Sequence, residues 1–188
     1  PYIVAEVAVN HQGDVEQAKR MVYIAHALGA DAIKFQLHFP DREMLREVPH
    51  SQNFDEPLYD ILVKTHLEVE EHQALKQLCD SLGITYLCTP FSKEAADVLD
   101  HLEVSAFKTG SGELTNLPLQ EHIAKKRKPM IISTGMSTIE EIAETVGLVQ
   151  AVGTPFVLMH CVSAYPTPYN IVNLGLMPKY LERFQVPV

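Results

Sequence analysis

Lys108-Thr-Gly-Ser-Gly-Glu113 places a cation, two glycines, a hydroxyl and a carboxylate within six residues. An ammonium can neutralise a phosphate or a carboxylate. Gly110 and Gly112 let backbone N–H groups come close to an anion, and Ser111 adds a further donor. Glu113 is positioned as an acid–base group beside such an anion. Other strand-like segments end in similar chemistry: Glu6, Lys34 with Gln36, Thr89, Ser133, and Ser163 with Tyr165. Lys34 and Gln36 are two apart, so on a strand they share a face. Glu6 interrupts an apolar run, where a carboxylate is costly unless paired. It reads either as half of a structural ion pair with a lysine or as a site carboxylate.

The elements that must hold these residues follow from periodicity. Apolar runs at 2–9, 30–36, 84–88, 105–108, 129–133 and 155–160 predict six strands, the first buried on both faces as in a parallel sheet. Helical spacing predicts helices between them, closed by Gly29, Gly83 and Gly153. Asp14 with Gln17, and Ser137 with Glu140, read as capping boxes, and Ser92 as a cap. A weaker helix is expected near 174–184, and 186–188 reads as the start of another strand. The stretch 37–66 is expected to be an irregular lid or rim with a short helix near 58–64; its histidines, His38, His50 and His66, read as solvated. Cys88 and His160 read as strand-borne core or supporting residues.

Strands alternating with helices at this spacing indicate an α/β fold with a parallel sheet. No Gly-x-Gly-x-x-Gly follows the first strand, and no phosphate-binding Gly-x-x-x-x-Gly-Lys-Ser/Thr occurs. Polar residues at every strand end point to the mouth of a (β/α)8 TIM-type barrel, of which about six units are present. One incomplete barrel domain over residues 1–188 is the expected organisation.

Composition narrows the partners. Lys plus Arg number 15 and Asp plus Glu 24, a formal charge of −9, with 46 % hydrophobic residues. Nucleic acid and anionic membrane are excluded as first expectations. The three cysteines form neither a disulfide framework nor a zinc pattern, and the opening residues are no secretory signal, so a reducing cytoplasm is expected.

Six motifs occur in order: Ala5-Glu-Val-Ala-Val-Asn-His-Gln-Gly-Asp14, Ala32-Ile-Lys-Phe-Gln36, Thr89-Pro-Phe-Ser92, Lys108-Thr-Gly-Ser-Gly-Glu113, Ile132-Ser-Thr-Gly-Met136 and His160-Cys-Val-Ser-Ala-Tyr-Pro-Thr-Pro168. As a set they resemble the sialic acid synthase family across essentially the whole chain. The resemblance implies condensation of phosphoenolpyruvate with an N-acylated mannosamine-type sugar to a nine-carbon 2-keto acid, with release of phosphate. It implies that Lys34, Thr89, Lys108, Ser111 and Ser133 hold phosphoenolpyruvate. Glu113 would be the acid–base group, and Glu6 would stabilise a cationic intermediate or orient water. Gln36, Asn53, Ser163 and Tyr165 would contact the sugar. The family uses a divalent metal, Mn2+ or Mg2+, whose histidine ligands are expected outside this chain, as is a C-terminal antifreeze-like domain contributed across a homodimer. The chain by itself is therefore expected to be inactive. Two other readings stay open: a Schiff-base aldolase using Lys108 or Lys34, and a non-catalytic barrel fragment with exposed strand edges.

Overall fold

The structure, a computed structural model, describes residues 1–47 and 55–188. The chain divides into two compact units, Pro1–Ser105 and Ala106–Val188.

The first unit holds β1 (Val4–Glu6), α1 (Val15–Ala27), β2 (Ala32–Leu37), α2 (Pro40–Glu43), α3 (Leu58–Thr65), α4 (Val69–Leu82), β3 (Thr85–Pro90) and α5 (Lys93–His101). β2 pairs in parallel with both β1 and β3. The register sets Glu6 opposite Lys34 and Gln36 opposite Thr89. The core is built on Phe35 of β2, stacked on Tyr86 of β3 with centroids 5.6 Å apart. Ala18 and Val22 of α1 and Leu75 and Cys79 of α4 are fully buried. The two helices stop where glycine or a glycine-adjacent turn allows: Gly83 adopts a left-handed φ of 74° after α4.

The second unit holds β4 (Phe107–Thr109), a 3-10 turn at Ser111–Glu113, α6 (Leu117–Ala124), β5 (Met130–Ser133), α7 (Ile139–Val152), β6 (Phe156–Met159), a 3-10 turn at Tyr169–Ile171 and α8 (Leu176–Phe184). β5 pairs in parallel with β4 and β6. Phe107, Leu119, Ile123, Met130, Ile132 and Val149 form the buried interior. Thr145 of α7 donates to the Leu114 carbonyl (2.7 Å), and Thr154, just after α7, donates to the Ala124 carbonyl at the end of α6 (2.5 Å).

Several expectations need correction. The first strand is short, and Tyr2, Ile3 and Val4 are 60 %, 52 % and 36 % exposed rather than buried on both faces. Within its unit β1 has one strand neighbour, and the chain turns away at Ala8, whose φ is 49°. Asp14 caps α1 by accepting from the Glu16 and Gln17 amides, but the Gln17 side chain donates to the Asn10 carbonyl instead of completing a box. The box at α7 lies one residue later than expected, on Thr138 and Glu141. The Ser137 hydroxyl is diverted to the Gly135 carbonyl at 3.3 Å. Residues 186–188 form no strand, although the Leu158 amide donates to the Pro187 carbonyl at 2.9 Å. Ser92 caps α5 as expected, through the Ala95 amide.

Candidate functional site

Each unit carries its own polar cluster at the C-terminal ends of its strands. In the first, Lys34 is buried on β2 between apolar neighbours, so its ammonium requires partners. Nζ lies 2.6 Å from Glu6 Oε2 and donates to Thr89 Oγ1 at 3.1 Å. The other carboxylate oxygen of Glu6 accepts the Ala8 amide at 2.9 Å. Parallel register alone brings these groups together, one from each of three adjacent strands. The Glu6 side chain stays 46 % exposed, so the carboxylate faces solvent while it holds the buried cation.

Gln36 continues the same face of β2 but bonds elsewhere. Its side chain lies 3.1 Å from His38 Nε2, and His38 Nδ1 lies 2.8 Å from Glu43 Oε1 on α2. His38 was expected to be a solvated surface residue. It is buried, because its ring stacks on Phe91 at 4.3 Å and Glu43 satisfies its edge. The signal was present as Lys34-x-Gln36-x-His38, the alternation of a single strand face carried one step further. Asn53 lies outside the described residues, as does His50.

In the second unit β4 delivers Lys108, also buried. Its ammonium donates to the Thr109 carbonyl at 2.6 Å and to Ser133 Oγ at the end of β5. The Cys161 thiol also reaches Ser133 Oγ, at 3.4 Å. Ser133 thus accepts from Lys108 and Cys161, which turns its own hydroxyl proton away from both. Ser111 behaves likewise: its Oγ accepts the Gly135 amide at 3.1 Å, leaving its proton to point elsewhere. Gly135 is the hub. A Cβ there would lie 2.6 Å from Ser163 Oγ and 2.7 Å from Ser111 Oγ, so only glycine admits both hydroxyls. An ammonium with hydroxyl donors ringing a glycine is the composition of an oxyanion site.

The Glu113 carboxylate turns to its own segment, where Oε2 accepts from Asn116 Nδ2 at 2.8 Å. Tyr165 is 95 % exposed. His160 Nε2 meets the Val172 carbonyl at 2.7 Å, a supporting role that agrees with expectation. Gly135 and Cys161 are the participants that sequence reasoning did not single out.

Several buried titratable groups of the first unit are tuned by desolvation. Burial lowers His11 and pushes His72 down to about 3; His72 Nδ1 meets the Tyr86 hydroxyl at 2.7 Å. Burial likewise raises the Cys79 and Cys88 thiols to about 12, which leaves neither as a nucleophile and places Cys88 in the core as expected. Among the described residues no group of three or more His, Cys, Asp or Glu side chains could hold a metal ion. None of their helices is long and apolar enough to cross a membrane.

Parallel strands in βα order, with ammonium, hydroxyl and carboxylate groups at their C-terminal ends, define an α/β protein equipped to handle a small anion. The chain belongs to the NeuB family, whose profile matches residues 21–188. It is 38 % identical to an N,N'-diacetyllegionaminic acid synthase of Legionella pneumophila, over 100 % of this chain and 56 % of that protein. It is 33 % identical to the human N-acetylneuraminate-9-phosphate synthase, over 100 % of this chain and 54 % of that protein. Among solved structures, the N-acetylneuraminic acid synthetase of Leptospira borgpetersenii, in complex with citrate, superposes with a TM-score of 0.87 at 28 % identity, over 99 % of this chain and 62 % of that one. The chain therefore spans about half the length of the curated relatives it matches.

Proposed function

We propose that the complete protein condenses phosphoenolpyruvate with an N-acylated mannosamine-type sugar. C3 of phosphoenolpyruvate forms a bond to the sugar aldehyde carbon, water adds at C2, and phosphate leaves to give a nine-carbon 2-keto sugar acid. The observation that carries this reading is the Lys108–Ser133 pair beside the Ser111–Gly135–Ser163 ring, which presents an ammonium and hydroxyl donors to a small polyanion.

The roles proposed are those the motifs imply. Lys34, Thr89, Lys108, Ser111 and Ser133 hold phosphoenolpyruvate. Glu113 moves the proton of the attacking water or sugar hydroxyl, and Glu6 stabilises the positive charge that develops at C2. Gln36, Asn53, Ser163 and Tyr165 meet the sugar. Any divalent metal, Mn2+ or Mg2+, would take its ligands from outside this chain and polarise the aldehyde. The rest of the proposal is a complete (β/α)8 barrel, working as a homodimer in the cytoplasm. Relatives that are sialic acid-type synthases support the reaction class.

The aldolase reading through Lys34 is disfavoured by its ion pair with Glu6. An ammonium 2.6 Å from a carboxylate has no lone pair to attack a carbonyl. One experiment tests both readings. The full-length protein is incubated with phosphoenolpyruvate, Mn2+ and N-acetylmannosamine, its 6-phosphate or a 2,4-diacetamido-trideoxymannose, and phosphate and product mass are followed. Equimolar phosphate and a nine-carbon acid from one sugar are expected. No product from any of the three, together with a borohydride-trapped pyruvate adduct on Lys34 or Lys108, would overturn the reading.

A further inference from the structure

We propose that His38 and Glu43 are positioning residues that fix the side-chain amide of Gln36 and so set the acceptor-sugar selectivity of the reaction proposed above, on which this inference rests.

Gln36 has three freely rotating bonds, and an exposed glutamine presents either end of its amide equally well. Here one end is tied. His38 Nε2 lies 3.1 Å from its amide oxygen position, and His38 Nδ1 lies 2.8 Å from Glu43 Oε1. The ring cannot swing to release it. It lies nearly parallel to Phe91, 16° apart with centroids at 4.3 Å, and the His38 and Glu43 side chains are only 6 % and 4 % exposed. Burying a carboxylate and an imidazole is expensive, and the second oxygen of Glu43 has no hydrogen-bond partner. A tether between β2 and α2 would need only one of these bonds. Both ring nitrogens are committed, and the second one ends on the side chain of Gln36.

The bonding fixes what Gln36 shows to the outside. With Nδ1–H given to Glu43, a neutral ring has a bare Nε2. The amide then turns its NH2 to the ring and its carbonyl outward. With the ring charged, Nε2–H takes the carbonyl and the NH2 faces outward. In either state one end is locked and a single kind of hydrogen-bonding group remains for the sugar. A locked amide accepts only a sugar substituent that places the complementary atom at that one spot, which is how it selects among acceptors.

The test is steady-state kinetics on the full-length protein, with the best of the three sugars named above as acceptor. His38→Phe keeps the stacking on Phe91 and removes both polar bonds. Its KM for the sugar should rise roughly 10- to 100-fold, as for a misplaced contact residue, while the KM for phosphoenolpyruvate stays unchanged. Adding Gln36→Ala should then cost little more, because both changes disable one unit. Glu43→Gln, which preserves shape, should raise the sugar KM by a smaller factor and serves if His38→Phe does not fold. Independent, multiplying effects of His38→Phe and Gln36→Ala, or equal rises in both KM values, would overturn the inference while turnover by the unaltered protein keeps the functional reading intact. If the unaltered protein turns over none of the sugars, the functional reading falls and this inference falls with it.

Discussion

The two units solve the same problem, holding charged and polar groups at strand ends, by different means. The first unit builds its cluster from strand residues. Glu6, Lys34, Gln36 and Thr89 lie on three paired strands, and their contacts follow the parallel register. The second unit uses its strands for Lys108 and Ser133, but Ser111, Gly135 and Ser163 sit in turns, brought together by a glycine that no other side chain could replace. A strand-borne site is stiff and is stabilised by pairing charges. A turn-borne site depends on close backbone approach, which is a steric condition. The two should therefore fail in different ways when altered.

Two glycines give the largest contrast. Gly135→Ala would push a Cβ against Ser111 and Ser163 Oγ, and a displacement of this size should reduce turnover about 100-fold or more. The melting temperature should move less than turnover, since the two shortest contacts are hydroxyl oxygens that can rotate out of the ring and only Ser111 Cβ, at 3.2 Å, must shift with its backbone. Gly13→Ala in the first unit would set a Cβ 2.8 Å from the Lys64 carbonyl at a left-handed φ of 77°. That should destabilise the fold by about 1–3 kcal/mol. Turnover and melting temperature on both variants check this, and a stable, active Gly135→Ala would break the steric account of the second unit.

Next in size is Glu6→Gln. Glu6 is half exposed but Lys34 is buried, so replacing the carboxylate by an amide leaves the ammonium with weaker partners and should lower stability by about 1–3 kcal/mol in urea titrations. Turnover should fall about 100- to 1000-fold if the carboxylate stabilises developing positive charge. Lost stability with unchanged turnover would instead make Glu6 purely structural.

The third prediction concerns acid. His72 stays neutral in the folded state down to about 3, whereas the unfolded ring takes up a proton near 6.5. Between these values the unfolded state binds more protons, so this contribution is complete above about 6.5 and declines as pH falls. The slope approaches about 1.4 kcal/mol per pH unit. Urea titrations from pH 7 to 4 should show the decline, and His72→Gln should flatten it; an equal slope in the variant would refute the assignment. Smallest is Thr138→Ala, which removes the cap of α7 in the second unit. It should lower stability by about 1 kcal/mol with no change in turnover. A change in turnover would mean that the turn after β5 feels the helix start.

The order of strands and helices was legible in the chain, because apolar period and glycine stops are local properties. The six strands and the helices from α3 onward fall within a few residues of expectation, and the ends of α4 and α7 fall on the glycines read as stops. Also legible was that Lys34 and Gln36 share one face, since they are two apart on a strand, whereas the parallel register brought Glu6 and Thr89 to them. Four things were decided only by tertiary structure. The length and exposure of β1 depend on how many neighbours the strand has. The burial of His38 depends on Phe91, 53 positions away in the chain and brought over it by the turn after β3. The cap of α7 shifted by one residue because Ser137 found a nearer acceptor. The role of Gly135 depends on two hydroxyls 24 positions before it and 28 after it, a proximity that no local pattern of residue types encodes.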